Sequence, residues 1–303
     1  MKSRRWFDAV ILLLAALAPA TARAAPDREW LQIEAGQPIV LKPDRAYLLL
    51  RRWQPDGAVK VEPILMRVPT AQELEQYDAA KREAFEKARP ALLAARDKQL
   101  AKKAEADAAG KPFDGMVPPE PNLESFAFDY QAVANVQSVR IGKALVRAQP
   151  ESVYLIEAVP GDYVFYGMSW ALGRSSLFTC LCLGSVGFHA QAGVVTDLGT
   201  FLGDSAKFES HIPELKPESG FGPSSDAFFP LLVGGLRLPA PGAAMPDGLH
   251  GLTIVPADYH AIGRFLDGRA LGINRMVPVP GVLAYDNGKV VDVKSGQVVA
   301  DHF

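Results

Sequence analysis

The sequence predicts a mainly β fold: an antiparallel β-sandwich with one long, kinked helical segment inserted between its early and later strands. Three observations carry this. Apolar runs of strand length alternate with Gly, Pro and Asn/Asp turns over most of the chain. A single stretch, 70–110, switches to a helical period and is rich in Ala, Glu, Lys and Arg. Nearly half of the residues are hydrophobic and about a fifth are charged, the composition of a globular protein.

Residues 1–24 have the three-part layout of a secretory signal peptide. Lys2, Arg4 and Arg5 are basic, Val10 to Ala18 is apolar, and Ala22-Arg23-Ala24 offers small residues before a cleavage site at Ala25. The apolar run is about half the ~20 residues a membrane-spanning helix needs. Ser3-Arg4-Arg5-Trp6-Phe7 resembles the twin-arginine export signature. Asp8 and Ala9 depart from that pattern, and the Leu-rich core suits general export, so the arginines imply no cofactor. Cleavage would remove Lys2, Arg4, Arg5, Arg23 and Asp8, taking the net charge from −2 to about −5. An acidic exported protein without a basic patch is a poor partner for nucleic acid or anionic lipid. No later apolar stretch reaches the length of a membrane span.

Residues 25–69 read as the first strands of the β domain. Ala46 to Arg51 is an apolar run, Pro55-Asp56-Gly57 a turn, and Val59 to Met66 a returning strand. In 70–110, Thr70 and Glu73 form a capping-box pattern. Leu74, Tyr77, Phe85, Ala88 and Leu92 share one helical face. Pro90 should kink this helix or start a second one. A continuous helix would reach ~60 Å. Its second half is mostly Ala and charge, so it should project into solvent. Two roles are open for it: a solvated arm whose first half packs on the β body, with pairs such as Glu83 and Lys87, or a docking arm for an envelope protein or a second copy.

Residues 111–208 read as the main β-sandwich. Ser152 to Val159, the turn Pro160-Gly161-Asp162, and Tyr163 to Trp170 form a hairpin pattern. Leu177 to Ala190 alternates as one strand, with Phe178, Cys180, Cys182, Val186 and Phe188 on one face and Thr179, Ser185 and His189 on the other. Residues 209–250 are punctuated by Pro213, Pro217, Pro223, Pro230, Pro239, Pro241 and Pro246, which predicts a surface wrap without regular structure. Residues 251–303 predict a β meander. Its clearest signal is Asn287-Gly288, a type I′ turn between Val282–Tyr285 and Lys289–Val293.

The candidate chemistry centres on Cys180 and Cys182. Three readings stay open: two buried apolar side chains, a disulfide, or a metal site that adds His189. In an extended strand the two Cα atoms would lie ~6.5–7 Å apart, at the limit of disulfide geometry, and His189 would point away. The five histidines, His189, His211, His250, His260 and His302, show no paired metal spacing. No Gly-x-Ser-x-Gly elbow occurs; Gly184-Ser185 only approaches it. Asp204, Glu209 and Asp226 read as solvated loop carboxylates. No Gly-rich loop opens a helix, so nothing suggests nucleotide binding.

Val159 to Tyr163, Cys180 to Ser185, Ala192 to Gly199 and Pro278 to Tyr285 together resemble uncharacterised exported proteobacterial proteins that carry a β-sandwich domain of unknown function. The resemblance implies a Gram-negative envelope location and no activity. The expectation is a periplasmic, non-catalytic binding or scaffolding protein. The alternative is a periplasmic metal-binding protein or hydrolase centred on the Cys180/Cys182 strand.

Overall fold

A computed structural model describes residues 30–128, 136–172, 175–205, 210–215, 232–240, 242, 245–265, 270 and 272–301. The segment 1–24, Glu209, Asp226 and His302 lie outside the described residues.

The chain is mainly β, with several sheets and one long helix. Strands β1 (Trp30–Ile33), β2 (Ala46–Trp53) and β3 (Val61–Arg67) precede the helix α1 (Ala71–Ala108). After it come β4 (Val136–Ser138), β5 (Glu151–Ala158), β6 (Gly161–Leu172), β7 (Ser175–Cys180), β8 (Ser185–Ala190) and β9 (Val195–Ser205). Then follow β10 (Leu232–Arg237), β11 (Ile254–Pro256), β12 (His260–Ile262), β13 (Gly272–Ile273), β14 (Leu283–Asp286), β15 (Lys289–Asp292) and β16 (Gln297–Val298).

The first sheet runs β1-β5-β2-β9-β10, with β11 also beside β9. The second runs β12-β8-β6-β3-β4, extended by β7 and β13, and β14-β15-β16 form a small third sheet. Pairing is mixed rather than purely antiparallel, because β2 and β11 both run parallel to β9, and β13 parallel to β7.

Each predicted hairpin in the β body is instead a corner between sheets. β2 and β3 flank Pro55-Asp56-Gly57 yet belong to different sheets, as do β5 and β6 across Pro160. A tight turn reverses the chain, but burial chooses the partner. β2 is apolar on successive residues because both of its faces are covered. Leu48 and Leu50 join the central core with Leu65, Phe165, Phe188 and Phe201, whereas Tyr47 and Leu49 pack under Ile39, Leu249 and Ile254.

The single alternating strand predicted over Leu177–Ala190 is broken. β7 and β8 both lie along β6, Cys180 opposite Gly167 and Gly187 opposite Val164, so four extra residues loop out between them. β6 also changes register against β3 between Ile64 and Leu65. The expected shared face is therefore lost. Phe178 stacks on Tyr166 in an outer cluster, while Val186 and Phe188 enter the central core.

Residues 209–250 also depart from the predicted wrap. β10, Leu232–Arg237, forms there and pairs antiparallel with β9 from Leu232↔Ser205 to Arg237↔Thr200. Its two glycines obscure the strand in the sequence, and Gly234 sits where a Cβ would lie 3.0 Å from Met168.

Helix α1 continues through Pro90 as one element; no second helix begins there. Its start is anchored by Glu73, which accepts from the Thr70 amide at 2.7 Å and from Arg67 at 2.9 Å, while the Glu73 amide donates to the Thr70 hydroxyl at 3.2 Å. Of the predicted apolar face, Phe85 is buried, whereas Leu74 and Leu92 are exposed. The rings that meet it come from the following segment, Phe85 on Phe126 at 5.5 Å and Tyr77 on Phe128 at 5.8 Å. These contacts pack the first half of the helix against the segment that follows it. The ion pair that forms is Lys103–Asp107 at 2.6 Å, not Glu83–Lys87. Among the described residues, no helix is long and apolar enough to cross a membrane.

The Arg67 hydrogen bond, reinforced by the Thr70 cap, holds the Glu73 carboxyl down at about 2 despite partial burial. A depressed carboxyl stabilises the fold above its unfolded value near 4.5, and that contribution disappears as pH falls toward 2. Glu73→Gln is expected to loosen the first helical turn by ~1 kcal/mol at pH 7. Amide exchange at residues 71–75 should accelerate about fivefold, and the difference from wild type should shrink below pH 4.

Candidate functional site

Cys180 and Cys182 are joined in a disulfide, and both are fully buried. Their Cα atoms are 5.2 Å apart, closer than an extended strand allows, because β7 ends at Cys180 and the chain turns. The turn is held by backbone bonds: the Asn274 amide to Cys180 O, the Leu183 amide to Asn274 O, and the Phe265 amide to Cys182 O. Tyr285 covers it with its hydroxyl donating to Met276 O at 2.7 Å, and burial pushes that phenol's pKa well up.

The predicted metal set does not assemble. The disulfide occupies both sulfurs, and His189 is exposed, with Nδ1 2.7 Å from Asp162. Among the described residues, no group of three His, Cys, Asp or Glu side chains could hold a metal ion. The described histidines stay apart: His211 lies near Asp204, His250 near Asp247, and His260 on β12. Ser185 is fully buried with its hydroxyl donating to Phe165 O, so it offers no exposed nucleophile. Replacing Cys180 and Cys182 together by alanine opens only a three-residue ring. The expected loss is about 1–2 kcal/mol, with the fold retained, read by urea unfolding. A collapse of the fold would assign the pair a larger structural role.

The chain builds a different site at one end of the central core. Arg52 follows Leu48 and Leu50 at the next alternating position of β2, so it faces the core side of the first sheet. Ser152 is directly opposite on β5, and Tyr154 is two pairs further in, on the same face and opposite Leu50. Gln54 continues β2, its amide donating to Pro150 O at 2.6 Å. Lys60 enters just before β3, and Arg147 comes from the loop between β4 and β5. Together these residues line a cleft of about 380 Å³.

The loop that forms one wall is fixed from outside. Gln32 donates to Arg140 O at 2.8 Å and Lys143 O at 3.0 Å. Glu62 accepts from Ser138 at 2.8 Å and from the Ile141 amide at 3.1 Å. The Arg147 guanidinium donates to Gly142 O at 2.8 Å. The nearby carboxylate of Glu62 is thus engaged in holding the wall, and none lines the cleft among the described residues.

Two adjacent arginines divide in role. Arg51 faces the other side of the sheet and meets Asp197 at 2.7 Å and Glu151 at 4.0 Å. Arg52 is 6% exposed and meets no carboxylate within ion-pair distance among the described residues. Its Nε and the Tyr154 hydroxyl are fully buried without a protein partner. Buried polar groups are normally paired, and each orphan costs ~1–3 kcal/mol. Arg52 Nε and the Tyr154 hydroxyl share one cleft, which makes it the candidate binding position.

Sequence reasoning missed these residues. The available signal was the phase of β2, which places Arg52 on the Leu48/Leu50 face. Lys60, Arg147 and Tyr154 carry no such signal, because a loop and a sheet pairing bring them in. No protein family, curated protein or solved structure matches the chain.

Proposed function

We propose that this protein is an exported, non-catalytic binding protein of the cell envelope, a two-sheet β-sandwich released into the periplasm. The cleft around Arg52 carries this reading. It gathers cationic and neutral donors around a buried guanidinium, which is the chemistry of holding an anion. The signal-like residues 1–24 support export. The Cys180–Cys182 disulfide suits an oxidising compartment. The core shared by Leu48 and Phe201 of the first sheet with Leu65 and Phe165 of the second supports the sandwich.

Expression of the full chain in a Gram-negative host tests this. The protein should leave the cell on osmotic shock and begin at Ala25. A chain that stays in the cytoplasm with residues 1–24 attached would contradict it.

A further inference from the structure

We propose that the cleft binds a phosphate monoester, with the dianionic head held between Arg52, Lys60 and Arg147; this rests on the reading of the protein as a binding protein. Three cationic side chains converge there and no lining carboxylate balances them among the described residues. Burial of an unpaired guanidinium is costly. An anion in the cleft removes that cost, as Asp197 does for Arg51.

The number of donors favours phosphate over carboxylate. Arg52, Arg147 and Lys60 present charged N–H groups, and the Tyr154 hydroxyl and the second N–H of the Gln54 amide add neutral donors, while the Ser152 hydroxyl is engaged with Ala148 O and keeps only acceptor capacity. A carboxylate offers two oxygens and one charge. A phosphate monoester offers three terminal oxygens and close to two charges, which matches this set better. The volume, about 380 Å³, falls in the range of small-molecule sites. Ile141, Ala148 and the Tyr154 ring give the organic remainder an apolar wall. The phosphate can come from a soluble ester or from the monoester headgroup of phosphatidic acid.

Calorimetric titration of the mature protein with glycerol 3-phosphate, with glycerol as the neutral control, tests the assignment. Vesicles of phosphatidylcholine, with and without phosphatidic acid, form the second arm. Lys60 and Arg147 are exposed, so K60Q/R147Q should fold even if Arg52→Gln does not. The ester should bind while glycerol does not, the double variant should bind at least about tenfold more weakly, and added salt should weaken wild-type binding. Binding of the soluble ester supports the assignment with a free ligand. Binding of phosphatidate vesicles alone, lost in K60Q/R147Q, supports it with a lipid headgroup. A wild type that binds neither probe, or a double variant that binds as tightly, overturns it. A periplasmic, processed chain that ignores both probes would overturn this assignment and leave the envelope reading intact. A cytoplasmic chain that binds the ester through Lys60 and Arg147 would do the reverse.

Discussion

Phe165→Ala is expected to lower stability by about 3–5 kcal/mol, the largest effect of any single core truncation in this protein. Phe165 is fully buried on β6 and stacks on Phe201 of β9 at 6.0 Å with planes 4° apart, so the pair joins the two large sheets. It also meets Phe188 at 6.3 Å and Tyr259 at 6.3 Å. Removing the ring leaves a cavity facing three other aromatics, none of which is free to collapse into it. Urea unfolding at pH 7 should show the midpoint fall with little change in slope. Phe178→Ala should cost clearly less, because Phe178 lies in the outer cluster and is only partly buried. Equal losses at the two positions would mean that Phe178 and Phe165 share one core.

Asp204→Ala should follow, at about 3 kcal/mol, or ~6–12 °C in Tm. Asp204 is 2% exposed near the end of β9 and accepts four hydrogen bonds: from the amides of Val59 (3.0 Å), Ser205 (2.8 Å) and His211 (3.0 Å), and from the Ser210 hydroxyl (2.9 Å). It ties β9 to the turn before β3 and to the segment entering Pro213–Leu215. Truncation strands these donors with no acceptor. Burial alone would raise its pKa, but the amides and hydroxyl that surround the carboxylate outweigh it and hold the pKa below the usual 3.8. The sign follows from linkage: the contribution is complete above the unfolded value near 3.8 and is lost as pH falls through the lower folded one. The stability difference between wild type and Asp204→Asn should therefore hold from pH 7 to about 5 and narrow below 4. A constant difference down to pH 2 would mean that the charge of Asp204 is irrelevant.

Asp204 also illustrates what the sequence conceals. Alone between Gly203 and Ser205 it reads as a solvated loop carboxylate; what conceals its role is that Val59 is far away in sequence and that Ser210 and His211 must fold back onto the end of β9. Local signals were legible where the chemistry is local. The Thr70/Glu73 capping box and the Asn287-Gly288 turn, with φ of 48° and 78°, depend on neighbours within three residues. Turns at Pro55-Asp56-Gly57 and Pro160-Gly161-Asp162 were legible as reversals but not as corners between sheets, because both flanking strands are apolar enough to be buried anywhere. The face of Phe178 was lost to the one-residue register change in β6, since the four-residue excursion after Cys180 keeps the alternation in phase. The apolar stripe of α1 was legible as a pattern, but the rings that meet it, Phe126 and Phe128, come from the segment after the helix and carried no signal of that pairing. Only Arg52 of the cleft was within reach of periodicity, since long-range pairing supplies the remaining donors.

The binding role proposed for the cleft requires Arg52 to face the ligand. The most direct measurement is the NMR resonance of the Arg52 Nε–H during titration with glycerol 3-phosphate, assigned by its absence in Arg52→Lys. A signal that moves downfield and saturates with the calorimetric binding curve is the predicted result. A signal that stays fixed while the ester binds would place the ligand elsewhere and contradict the account.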